Sequence, residues 1–291
     1  MLMPFSNVTG DQHKIMVSTR RTIATVALAT MLVGCRGQIL PATTTTTPGV
    51  MRIGTTTALS PLIDDITLSY GNSHPAQLID SHYANYETML RYLYDDEVTY
   101  FISSHLPPES QLWAAPIGQD AIVIISNHNS ALDGLTTEQL RGIYQGQITS
   151  WGELGGQHED IIVFSRENGS GTRAEFERMI MGRRQVTANA HVVSANSYII
   201  ASVADTPGSI GYVSMSYANE SVKIFDIDGI SPCPETIYSN LYPLRSTIFV
   251  IGLEEPGGHY RALIGWLQSP EGQETIAEHY SPLVGPGSNQ K

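Results

Sequence analysis

Lysine is nearly missing from this chain. Of 16 basic residues only Lys14, Lys223 and Lys291 are lysines, set against 28 acids for a formal charge of -12. That balance excludes the broad positive field that nucleic acid or an anionic membrane surface recruits. An anion can still be bound, but only at a short-range site built from geometry. Cysteine is equally scarce: Cys35 and Cys233 are the only two, so no disulfide scaffold is available. Long apolar runs are missing too. The segment "TIATVALATMLVG" after Arg20 and Arg21 falls short of the roughly 20 apolar residues that cross a bilayer. No H-x-x-x-H pair and no Cys/His spacing marks a metal site, so neither metal nor cofactor is expected.

What the N-terminus does have is a basic pair, a short apolar run and then "LVGC", in the order of an export signal. The segment resembles a bacterial lipobox, which implies a signal peptide over 1–34, cleavage before Cys35 and acylation of the Cys35 thiol. The pattern around Arg20 and Arg21 is incomplete for twin-arginine export. With Cys35 lipidated, Cys233 has no partner for an internal disulfide. The following "PATTTTTPG" has no apolar face to bury and reads, over 35–49, as a Thr/Pro tether. A domain held outside the membrane on a leash, touching the membrane only through its anchor, is the first functional expectation.

From Met51 onward, short β-branched runs alternate with amphipathic stretches. "VMRIG", "VTYFISS", "DAIVIIS", "DIIVFS", "GSIGYVSM", "VKIFDI" and "STIFVIGL" read as strands. "SPLIDDITLSY", "TTEQLRGIYQG", "AEFERMIMG", "YRALIGWLQ" and "EGQETIAEHY" read as helices. The alternation predicts an α/β fold with mainly parallel sheets. Crossover strands near Ala121–Ser126 and Ser246–Gly252 give one discontinuous lobe, 50–121 plus 246–291, and one continuous lobe, 122–245.

The densest chemistry lies in "SRENGSGTR", Ser165 to Arg173, between a strand and a helix. Gly169 and Gly171 let backbone amides approach a ligand. Ser170, Gly171 and Thr172 stand at the helix start, where free N–H groups favour an anion. Arg166 adds a planar fork. A P-loop needs a lysine after its second glycine, and Thr172 stands there instead. A serine hydrolase needs a G-x-S-x-G elbow and a base; "NGSGT" does not fit, and nothing pairs His158 or His191 with Ser170. A plain helix cap is the remaining alternative. Two further hydroxyl-rich strand ends, "GTTTALSP" and "ISSHLPP", argue for a shared ligand, since open α/β sheets collect ligands at the carboxyl ends of their strands.

Together, "IGTTTALSPL", "ISSHLPP", "LTTEQLRGIYQGQITSWGELGG", "SRENGSGTR", "GSIGYVS" and "SPEGQ" resemble, in order, the phosphate-binding proteins of bacterial ABC transporters. The resemblance covers about 50–285 and implies a two-lobed type 2 periplasmic-binding-protein fold with a hinge of two crossover strands. It also implies a cage for one tetrahedral oxyanion. Arg166, Ser170, Gly171 and Thr172 would donate from one lobe, Thr56, Thr57 and the Ala58 amide from the other, with Ser103 or Ser104 completing it. Trp151 is expected to pack, and Arg173 to be a solvated or salt-bridging residue. Well-studied members carry an acid in the second loop that accepts the hydrogen of protonated phosphate. Here His105 stands about where that acid, or an arginine in other members, would be. A neutral His105 can accept the hydrogen, and a charged one adds positive charge.

The expectation is therefore an exported lipoprotein, not an enzyme, that captures inorganic phosphate for an ABC permease. A receptor docking on a permease has no need of a dimer, so a monomer is expected. A surface sensor or scaffold, and a receptor for another oxyanion such as sulfate, are the alternatives.

Overall fold

The structure, a computed structural model, describes residues 49–283. The expected signal peptide, Cys35 and the tether up to residue 48 lie outside the described residues.

Strand β1 (Gly49–Thr56) runs through a 3-10 turn at Thr57–Leu59 into helix α1 (Ser60–Ser73). Pro61 sits in its first turn, where a missing N–H is harmless. Strand β2 (Gln77–Ala84) and helix α2 (Tyr86–Tyr94) follow. The sequence pattern does not mark β2, because it is an edge strand with no fully buried residue. Next come β3 (Tyr100–Ser103) and β4 (Trp113–Ser126). β4 starts at Trp113 and not at the Asp120 suggested by the β-branched run.

Strand β5 (Gly134–Leu135) leads to helix α3 (Thr137–Tyr144), opened by a capping box between Thr136 and Gln139. Strand β6 (Ile162–Arg166) feeds helix α4 (Gly171–Phe176), which continues as a π turn over Glu177–Met181. Then come β7 (His191–Val193), α5 (Asn196–Asp205) and β8 (Ser209–Ser214). The expected strand "VKIFDI" is two short pieces, β9 (Lys223–Ile224) and β10 (Asp226–Ile227), on different sheets. Helix α6 (Pro234–Tyr238), strand β11 (Arg245–Gly252) and helices α7 (Gly258–Leu267) and α8 (Pro270–Ala277) complete the described chain.

The main sheet has nine strands in the order β2-β1-β3-β11-β4-β8-β6-β7, with β9 also on β4. Pairs β1–β2, β1–β3, β6–β7 and β6–β8 are parallel. β11 is antiparallel to β3 and β4, and β4 is antiparallel to β8. The sheet is thus more mixed than expected. Strands arriving from the other half return without a βαβ crossover, so parallel pairing is not imposed on them. β4 pairs with β11 through its first half and with β8 through its second, carrying the chain from one side to the other.

Each side has its own apolar core. Met51, Leu62, Ile66, Ile117, Ile248 and Leu267 pack in one, and Ile124, Leu140, Tyr144, Phe176, Tyr212 and Leu244 in another; Met215 touches both. Two α/β lobes joined by two crossover strands are what the strand ends, and hence the candidate site, are hung on.

Candidate functional site

Strand β6 delivers Arg166 to the cleft, and the lobe core fixes where it stands. Phe176 of α4 stacks on Tyr212 of β8, rings 4.2 Å apart and 3° from parallel. Burial pushes the Tyr212 hydroxyl up to about 12, so it stays neutral, and it accepts the Arg166 backbone N–H at 3.1 Å. The guanidinium itself is 1% exposed. Its Nε and Nη2 fork onto the Glu167 carboxylate at 3.0 and 3.2 Å. Nη2 also donates to the Ser194 carbonyl at 3.1 Å, and Nη1 to Asn196 Oδ1 at 2.9 Å. Across the cleft, Nη2 reaches Thr57 Oγ1 at 3.3 Å. A buried charge is tolerable only when paired and hydrogen-bonded, and this one is both.

The rest of "SRENGSGTR" is built as a helix start. Gly169 holds φ at +82°, a left-handed conformation that glycine adopts without a Cβ clash. Ser170 caps α4, its Oγ accepting the Arg173 N–H at 3.3 Å. Ser170 and Thr172 are buried. A Cβ on Gly171 would lie 3.2 Å from His105 Cβ and 3.4 Å from Tyr86 Cβ, so glycine lets the opposite lobe approach this helix. Arg173 donates to Glu177 at 2.8 Å and to the Arg166 carbonyl at 3.0 Å, in keeping with its expected salt-bridging role. Trp151 is buried in the lobe core, with its indole N–H on the Gly208 carbonyl at 2.9 Å.

From the other lobe come the ends of β1 and β3. Thr56 is buried, and its Oγ1 has no partner among the described residues. The Thr57 carbonyl accepts the Tyr217 hydroxyl at 2.8 Å, a second bond across the cleft, and the Ala58 carbonyl accepts Tyr280 at 3.2 Å. Ser103 is fully buried and its Oγ accepts the His105 N–H at 3.0 Å. Ser104 is buried as well and lines a cavity of about 410 Å3 beside the crossover strands, with Glu175, Arg178, Arg245 and Ser246. His105 turns its Nδ1 onto Glu175 of α4, at 2.8 Å. The structure joins Thr57 to Arg166 and His105 to α4 directly, and brings His105 beside Gly171.

Several residues here escape sequence reasoning. Asn196 is fully buried, and its Nδ2, like Thr56 Oγ1, has no partner among the described residues. It opens α5 after β7 in "VVSANS", a further polar strand end of the kind already recognised at "GTTTALSP"; the exposure of β7 hid it. Glu167 and Glu175 lie in or after the quoted motif, but nothing in their spacing shows which cation each meets. Asp120 of β4 is wholly enclosed. Its Oδ1 accepts Ser214 Oγ at 2.8 Å, the Ala121 N–H at 2.8 Å and the Met215 N–H at 3.3 Å. Burial nevertheless raises its carboxyl to about 7 against those bonds. Away from the cleft, Asp65, Glu278 and His279 bring ligand atoms within 4.8 Å of one another, a mostly exposed cluster that no sequence spacing announces. No helix among the described residues is long and apolar enough to cross a membrane.

A family model described as a PBP superfamily domain matches residues 42–271. Among curated proteins, the phosphate-binding protein PstS of Borreliella burgdorferi is 24% identical over 245 residues, 79% of this chain and 88% of that protein. The Bacillus subtilis phosphate-binding protein PstS is 29% identical over 58% of this chain and 56% of its own. Among solved structures, a Clostridium perfringens protein with bound phosphate, assigned to a phosphate ABC transporter, superposes with a TM-score of 0.76. Its identity is 26%, over 81% of this chain and all of that one. An ABC-type phosphate transport receptor from Vibrio cholerae gives a TM-score of 0.69 at 25% identity, over 79% of this chain and 99% of its own.

Proposed function

The chain belongs to the PBP superfamily, and from that premise we propose that it is an extracytoplasmic solute-binding protein that captures inorganic phosphate and delivers it to an ABC permease. The named relatives are phosphate-binding proteins, and the Clostridium structure holds phosphate. The observation that carries the reading is local. The buried Arg166 fork, which already spans the lobes, donates to Asn196 Oδ1 and to Thr57, and two buried polar groups there, Asn196 Nδ2 and the Oγ1 of the preceding Thr56, have no partner among the described residues. Leaving a buried polar group unpaired costs about 1–3 kcal/mol, and an oxyanion accepts from both. Thr57, the Ala58 amide, Ser103, Ser104, His105, Ser170, Gly171 and Thr172 complete the proposed cage. A bound ion then favours the closed form because it meets donors of both lobes only there.

Ser170 Oγ is engaged as a helix cap, accepting the Arg173 N–H, a role in keeping with binding. The lobes are proposed as 50–121 with 246–291, and 122–245; the separate cores support this, with Ala121 packing on the second side. Export by the 1–34 segment, anchoring through acylated Cys35 on the outer face of the cytoplasmic membrane, and a monomeric state belong to the same proposal. A competition titration of the purified protein with phosphate, sulfate and molybdate tests the anion. Phosphate should bind and resist displacement; tighter binding of sulfate would overturn the choice.

A further inference from the structure

His105 and Glu175 face each other from opposite lobes, and their surroundings make the contact more than incidental. The His105 backbone N–H is held by Ser103 Oγ at 3.0 Å, and its ring lies edge-to-face on Tyr86, centroids 4.6 Å apart at 74°. Its Nδ1 stands 2.8 Å from Glu175 Oε1, with the two side chains 13% and 5% exposed. The other carboxylate oxygen, Oε2, takes Arg178 Nε at 3.0 Å and Nη2 at 2.5 Å. Burial would push the Glu175 carboxyl up, but hydrogen bonds from His105 and Arg178 and the Arg178 charge hold it below its usual range. An ionised Glu175 accepts only, so Nδ1 carries the hydrogen in both charge states of the imidazole. Nε2 alone changes role, acceptor when neutral and donor when charged. The Glu175 carboxylate and the Tyr86 ring face this imidazole, and Arg178 meets it only through Glu175. Glu175 and Arg178 also line the 410 Å3 cavity.

We propose that Glu175, backed by Arg178, is a positioning residue for His105, and that the His105–Glu175 contact is a pH-sensitive latch holding the lobes closed over the anion. The proposal rests on the oxyanion-cage reading of the cleft. When the imidazole is neutral the contact is an ordinary hydrogen bond; when it is protonated the contact becomes a charge-assisted, largely buried ion pair, roughly twice as strong. Acidification therefore tightens the latch, as a separate effect from the titration of phosphate itself.

The test compares phosphate affinity of the wild type and Glu175→Gln by calorimetry at about pH 5.5 and about pH 8. The wild-type to variant ratio cancels the anion's own titration. It should be about five-fold or more at the lower pH and under about two-fold at the higher, taking the charge-assisted bond as the difference. Equal ratios at both pH values overturn the latch, since a purely structural loss would be flat. A thermal double-mutant cycle with His105→Gln, run with phosphate present and absent, reads the coupling independently of affinity. It should be larger at low pH, and a coupling of zero at both pH values also sinks the proposal. Arg166→Ala separates the two ideas: retained phosphate binding there overturns the cage, whereas lost binding with flat Glu175→Gln ratios overturns only the latch.

Discussion

Of the side chains that cross the cleft, Arg166 and His105 run in opposite directions. Arg166 leaves the 122–245 side and reaches Thr57; His105 leaves the other and reaches Glu175. Arg166 is tied by Glu167, Asn196, Ser194 and Thr57, and its charge is permanent. His105 makes one side-chain bond, to a partner across the gap, and its charge depends on pH. The contrast separates two tasks. A buried arginine held by several partners gives a fixed charge at a fixed place, needing no reorganisation when an anion arrives. A lightly held histidine gives a contact whose strength varies with conditions.

The largest effect expected from breaking this contrast is on the fixed side. Arg166→Ala should weaken phosphate binding well beyond ten-fold, and by about 2–5 kcal/mol if truncating a buried, hydrogen-bonded charge behaves here as at interfaces. Unchanged calorimetric affinity would remove Arg166 from the cage. Next comes Asp120, the buried acid of the crossover strand. Its folded-state carboxyl sits at about 7 against an ordinary 3.8, so the folded protein holds that proton more tightly than the unfolded chain. The stabilisation is full below about pH 4 and is lost as pH rises toward about 7. Asp120→Asn should therefore gain on the wild type by on the order of a few kcal/mol across that window, measured by urea unfolding at both ends. A constant difference between the two proteins would show that Asp120 titrates normally.

Asn196→Ala removes both a partner of Arg166 Nη1 and an unpaired buried donor. About 1–2 kcal/mol of phosphate affinity, five- to thirty-fold, should go with it, and an effect confined to thermal stability would make Asn196 a support for Arg166 and nothing more. The smallest effect belongs to Arg173. It is partly exposed and salt-bridged to Glu177, and such pairs are worth about 0.2–1 kcal/mol. Arg173→Ala should change phosphate affinity less than about two-fold, and a ten-fold loss would bring it into the cage.

How much of this was legible beforehand differs by element. "DAIVIIS" and "STIFVIGL" show as strands because both are buried between neighbours, so their apolar character is continuous. "QLIDSHYA" and "HVV" do not, because edge strands are half exposed and carry no such run. Missing β7 meant missing the helix start behind it, and with it Asn196. Trp151 could be assigned to packing, and Arg173 to a salt bridge, because local pattern and helical spacing decide such matters.

The sequence by itself determined the alternation of strands and helices, the polar strand ends, and the glycine-relaxed helix start after Arg166, because propensity, capping and backbone freedom act over a few residues. Tertiary structure alone decided the partners. That Arg166 is neutralised by Glu167 and steadied by Asn196, that Asp120 is sealed beside Ser214, and that His105 meets Glu175 depends on long-range packing. Electrostatic pairing depends on distance in space and on burial, and spacing along the chain records neither.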